Sequence, residues 1–138
     1  MIDVNYKLVF VATIVQFILG ALWYSPLLFG KMWMHIMECT GLSKDELKKM
    51  QKEMMPFYAL QLFLTLFMTI SFANLVPYMP DFSIYHIVFW IWVGFVVPTQ
   101  IGSVIWGNTK KKYWLKQIFI TCGFAFVAVM VAAFILSA

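Results

Sequence analysis

Four uncharged polar residues stand out in a chain that is 63% apolar and 12% charged: Gln16, Gln61, Gln100 and Thr121. Each falls roughly 5 to 8 residues from the end of its expected helix that adjoins a lysine-rich connection, so at about 1.5 Å per helical residue they share a layer about 8–12 Å below one boundary. Three carboxamides and a hydroxyl at one depth suggest a polar ring. Its simpler use is hydrogen-bond glue between helices, worth ~0.6 kcal/mol per contact and at most about 2. Its sharper use is a small binding site. Pro98 supports the second use, since it has no N–H to give the Gly94 carbonyl and leaves that acceptor free near Gln100.

Soft ligands crowd another stretch, where Met32, Met34, His35, Met37 and Cys39 are of the types that favour Cu(I). At helical spacing Met32, His35 and Cys39 share a face, making them a weak copper candidate. With ten Met in the chain, apolar packing by flexible side chains is the simpler reading, and no metal site or cofactor is expected. The two histidines do not suit a shared haem, because His35 follows the first apolar run and His86 opens the third, at opposite membrane boundaries. Cys39 and Cys122 have no neighbouring Cys and read as free thiols. No Gly-rich phosphate loop, zinc-ligand spacing or Ser-His-Asp order stands out, so no catalytic residue is assigned and the balance leans away from an enzyme.

The elements that must carry these groups are apolar runs. Stretches free of Asp, Glu, Lys and Arg extend over 8–30, 54–80, 82–109 and 117–138, each reaching the ~20 residues that cross a ~30 Å hydrocarbon layer. A soluble bundle needs polar outward faces, yet 57–76 and 84–106 are apolar nearly all round. The expected fold is an all-α integral membrane four-helix bundle in one domain, 1–138. Its helices are expected at about 6–24, 56–76, 83–106 and 113–136, with an interfacial segment over 25–55. The N-terminal Met-Ile-Asp-Val-Asn-Tyr-Lys is a poor cationic leader and the run after it is too long, so the first helix is expected to be retained rather than cleaved.

Lys31, Lys44, Lys48, Lys49, Lys52, Lys110, Lys111, Lys112 and Lys116 all fall in or beside the first and third connections. Four crossings put those connections on one side, which the positive-inside tendency makes cytoplasmic, with both termini outside. Trp23, Trp33, Trp106 and Trp114 flank the same connections, Tyr78 and Tyr85 sit at the other boundary, and Trp90 and Trp92 lie deeper, as packing residues. The chain has no Arg, so no guanidinium clamp exists, and no soluble basic fold is present; nucleic acid is not an expected partner. Membrane lipids are. Ala125, Ala128 and Ala132 offer small contact positions on the fourth helix, for close packing or for a homo-oligomer.

Ser43 and Glu46 form a capping-box pattern with Leu42 and Leu47 at staple positions. It predicts a short helix with Leu47, Met50 and Met54 on one face and Lys44, Lys48 and Lys52 on another, lying on the cytoplasmic headgroups or docking a partner. Ahead of it, Pro26 disfavours continuous helix through Tyr24 and Ser25, so a kinked, re-entrant or interfacial piece is expected there, with Ser-Pro starting a new helix.

The run Gly20-Ala-Leu-Trp-Tyr-Ser-Pro-Leu-Leu-Phe-Gly-Lys-Met-Trp33 resembles the signature of the domain of unknown function 1761 family. Its matching positions are Gly20, Trp23, Tyr24, Ser25, Pro26, Phe29, Gly30 and Trp33. The resemblance extends over most of the chain and implies a small four-pass protein of the bacterial cytoplasmic membrane, with no activity to carry over. The spans hold no carboxylate, which argues against a proton-coupled small multidrug transporter. Two functions remain: a structural or accessory membrane subunit without catalysis, and a binder or carrier of a small lipophilic molecule through the polar layer.

Overall fold

The structure is a computed structural model that describes residues 3–138; Met1 and Ile2, the first residues of the segment read as a poor leader, lie outside the described residues. Among the described residues it is all-α. Six helices form: α1 (Tyr6–Trp23), α2 (Gly30–Ile36), α3 (Lys44–Leu75), α4 (Ile84–Ile91), α5 (Val97–Ile105) and α6 (Trp114–Leu136). A π turn over Trp92–Val96 joins α4 to α5 without a break in the rod. Four rods are thereby long and apolar enough to cross a membrane: α1, α3, α4 with α5, and α6.

Local chemistry sets the helix starts. The Asn5 side chain accepts from the amides of Lys7 and Leu8 at the head of α1. Ser83 does the same for His86 at the head of α4. At α3 the box closes in both directions: Glu46 N–H donates to Ser43 Oγ at 3.2 Å, and Ser43 N–H donates to Glu46 Oε2 at 3.0 Å.

That box does not start a separate short helix. The amphipathic stretch expected there and the second span are one helix of 32 residues, about 48 Å long, well beyond a ~30 Å hydrocarbon layer. Pro56 lies inside it and gives no N–H to the Lys52 carbonyl. Both residues are exposed, so water can satisfy that carbonyl and the helix runs through. The short separate helix is instead α2, and it begins at Gly30 rather than at the Ser25-Pro26 step. Pro26 sits in the turn before it, where Ser25 O accepts the amides of both Leu28 and Gly30.

The rods pack in the order α3, α1, α6, α4–α5. α1 lies against α3 on one side and α6 on the other, α6 also packs on α4 and α5, and α3 makes no comparable packing with α4–α5. Buried apolar residues follow that line, from Ala73 through Val9 and Ala12 to Ile120, Ala128, Ala132 and Ala133, then Ile87, Val88 and Val104. Ala128 and Ala132, with half-buried Ala125, are thus used for close packing inside the chain. Large apolar side chains elsewhere face outward, among them Phe10, Phe63, Phe67, Phe95 and Phe134, each more than half exposed. Lipid is the solvent that tolerates such a surface.

Candidate functional site

The four residues expected to share a polar layer are not brought together. Gln16 is 2% exposed and its Nε2 donates to Thr69 Oγ1 at 2.9 Å and to Ala12 O at 3.2 Å. Thr69 Oγ1 in turn donates to Thr65 O, and Thr65 Oγ1 to Gln61 O. Gln61 Nε2 reaches Thr65 Oγ1 at 3.4 Å, so Gln61 connects to Gln16 only through two threonines. Gln61 and Thr69 are eight residues apart, about 12 Å along α3. The polar groups therefore form a seam running along α1 and α3, not a ring across four helices.

Gln100 and Thr121 stand outside this seam. Thr121 Oγ1 donates to Gln117 O on its own helix. Gln100 is half-buried on α5, and its carbonyl accepts from Ser103 Oγ. Near it the helix has adapted to Pro98: the Val97 amide reaches back five residues to Trp92 O in the π turn, and Thr99 Oγ1 donates to Phe95 O. A hydroxyl and a register shift thus satisfy carbonyls ahead of the proline. Thr13 and Thr69, both 2% exposed, and Thr65 were passed over by sequence reasoning. Their i, i+4 spacing on α3 (Thr65, Thr69, then Ala73) was the signal that could have found them.

The signature segment forms the second constellation. After α1 the chain doubles back so tightly that a Cβ on Gly30 would stand 2.4 Å from Tyr24 O and 2.5 Å from Ser25 C, which only glycine avoids. The turn sets aromatic rings tilted or edge-on to one another and to α6: Trp23 to Phe29 at 4.7 Å and Tyr24 to Trp33 at 5.1 Å within the segment, Tyr24 to Phe124 at 5.7 Å and Phe29 to Phe119 at 6.0 Å on α6. Gly20 and Gly123 make room, since a Cβ on either would lie 3.2 Å from Phe124 or 3.3 Å from Trp23. Trp23 Nε1 donates to Ile120 O at 3.0 Å, and Trp92 Nε1 donates to Cys122 O at 2.9 Å. Two residues on a helix are about 200° apart, so two indoles grip α6 from opposite sides. Trp90, by contrast, is exposed and donates to His86 Nε2.

Beyond the rings, polar contacts join the two lysine-bearing connections. Tyr113 Oη and His35 Nε2 lie 3.1 Å apart, and Lys110 Nζ lies 2.6 Å from Glu38. The Lys110 ammonium, by hydrogen bond and then by charge, holds the Glu38 carboxyl below its usual value, and Glu38 raises Lys110 in return. The first and third connections thus meet at one end of the molecule. At the other end, Tyr85 Oη lies 3.5 Å from Ser137 Oγ.

The side chains of the weak copper candidate have other surroundings. Met32 is exposed, His35 engages Tyr113, and Cys39 lines a shallow recess with Met34, Lys31 and Leu47. Among the described residues, no three His, Cys, Asp or Glu side chains gather as a metal would need.

An all-α chain with four membrane-spanning-capable rods, an aromatic turn after the first and an interhelical polar seam defines a class of small multi-pass protein. The family model described as "Protein of unknown function (DUF1761)" matches residues 8–137, and the chain belongs to that family. No curated protein and no solved structure matches it.

Proposed function

We propose that the chain is a structural or accessory subunit of the bacterial cytoplasmic membrane, inserted four times with its lysine-bearing connections in the cytoplasm and both termini outside. The observation that carries the reading is how the interior polar groups are spent. The buried Gln16 amide gives its N–H groups to Thr69 and to the Ala12 carbonyl, which is the pattern of glue rather than of a vacant site. Charge supports the orientation: nine lysines belong to the end where Glu38 meets Lys110, whereas Lys7 alone belongs to the other.

Two measurements test this. In sealed vesicles a thiol reagent confined to the cytoplasmic face should label Cys39 and one confined outside should not; the reverse pattern would invert the topology. Purified protein in vesicles should show no flux driven by a pH gradient or a potential. A coupled flux lost in Gln16→Leu would sink the accessory reading and make the seam a transport element.

A further inference from the structure

The α3 rod presents a second seam. Phe57, Gln61, Leu64, Met68, Ser71 and Leu75 recur at alternating intervals of four and three, the spacing of a coiled-coil contact line. All six are exposed, Phe57 by 58%, Leu64 by 49%, Met68 by 48% and Leu75 by 37%. The line lies about 120° around the helix from Thr65, Thr69 and Ala73, which face α1, so packing within the chain leaves it open.

Gln61 says what belongs on it. It sits seven residues inward of Met54, where the apolar run begins, so its carboxamide is about 10 Å deep. Two donors and a carbonyl oxygen occupy that end group, yet among the described residues its hydrogen bonding is one long contact with Thr65 at 3.4 Å. Hydrocarbon satisfies none of the remainder. A carboxamide is its own complement, because each can donate to the carbonyl of the other. Copies of one chain insert in the same direction, and a two-fold axis along the membrane normal brings each seam residue to its own counterpart. Gln61 then meets Gln61 of a second copy, and Ser71 meets Ser71 one end further on.

We propose that α3 is the contact of a parallel homodimer, with Phe57, Gln61, Leu64, Met68, Ser71 and Leu75 in register and the Gln61 carboxamides hydrogen-bonded to each other. Small-residue packing on α6, already used inside the chain, is not part of this interface. The inference rests on insertion of the chain in a bilayer, and the experiment separates the two.

In the full chain carrying Cys39→Ala and Cys122→Ala, single cysteines are placed along α3 and oxidised in native membranes after an alkaline wash. Cross-linked dimer should peak for Gln61→Cys, Leu64→Cys and Met68→Cys and fall for Leu60→Cys, Phe63→Cys and Phe67→Cys. A peak on the latter three, or no cross-link from a chain retained in the washed membrane, overturns the interface while leaving insertion intact. Release of the chain by the wash overturns the membrane reading and the interface with it. Energy transfer between copies labelled at Cys39 in a Cys122→Ala chain gives a second readout. Gln61→Leu should weaken association about tenfold and Gln61→Asn less, whereas Gln16→Leu should leave it unchanged. Equal association in wild type and Gln61→Leu would dismiss the carboxamide pair.

Discussion

The first helix is held on its two sides by different chemistry. Toward α6 it uses shape: Gly20 and Gly123 open space for Phe124 and Trp23, and the Trp23 indole locks onto the Ile120 carbonyl. Toward α3 it uses polarity: Gln16 and Thr69 bridge the helices, with Thr65 and Ala73 keeping the approach close. In lipid, apolar side chains gain little by leaving the bilayer for one another, so a helix pair needs either dense packing or a hydrogen bond. α1 takes one solution on each flank.

The contrast can be broken most forcefully at the turn that begins the α6 side. Gly30→Ala should cost at least about 3 kcal/mol, because the new Cβ meets Tyr24 and Ser25 backbone atoms that cannot step aside. Unfolding in mild detergent, followed by tryptophan fluorescence, should show the loss; unchanged stability would mean the turn is looser than described. Trp23→Phe keeps a ring but removes the N–H to Ile120 and should cost about 1–2 kcal/mol in the same assay. A cost as large as that of Gly30→Ala would shift the weight from the backbone turn to the indole.

On the α3 side the expected effect is smaller. Gln16→Leu and Thr69→Val should each cost about 0.6 kcal/mol and at most about 2, and the double variant should cost less than the sum. Strict additivity would show that the 2.9 Å contact does not join the helices.

The smallest effect is expected at the exposed Glu38–Lys110 pair. Glu38 titrates below its ordinary 4.5, so its contribution is present above that value and fades as pH falls through the lowered one. Lys110 titrates above its ordinary 10.5, so its share is present below that and fades as pH rises through the raised value. Labelling of Cys39 should therefore be slowest in the plateau between these limits and quicken at both edges, after correction for thiolate fraction. Glu38→Gln should flatten the acid edge, and added salt should weaken the effect throughout. An acid edge that persists in Glu38→Gln would assign it to another group.

Which of these features could be read from the chain follows from how local their causes are. The capping box at Ser43 and Glu46 involves atoms three residues apart, and the spans depend on length and composition alone. The polar layer was different. Distance from a helix end gives an expected depth, but Gln16 bonds to Thr69, eight residues and about 12 Å along α3 from Gln61. Azimuth depends on which helix lies beside which, and that put Gln16 against Thr69 while leaving Gln100 on α5 and Thr121 bonded to its own helix. Threonines were overlooked because a hydroxyl that satisfies itself on the preceding turn looks inert, although Thr69 Oγ1 donates to Thr65 O and still accepts from Gln16. The continuity of α3 was equally hard to read: the missing donor of Pro56 matters only where water is absent, and at an exposed site it did not stop the helix.

That uninterrupted rod also has a mechanical side. From the level of Thr65 to Lys44 α3 extends about 31 Å, and a change of about 10° in tilt, well inside the range of membrane helices, swings its lysine-bearing tip by about 5 Å. Such a tilt would carry the charges of Lys44, Lys48 and Lys52 sideways together, because no break in α3 separates them from the apolar part of the helix.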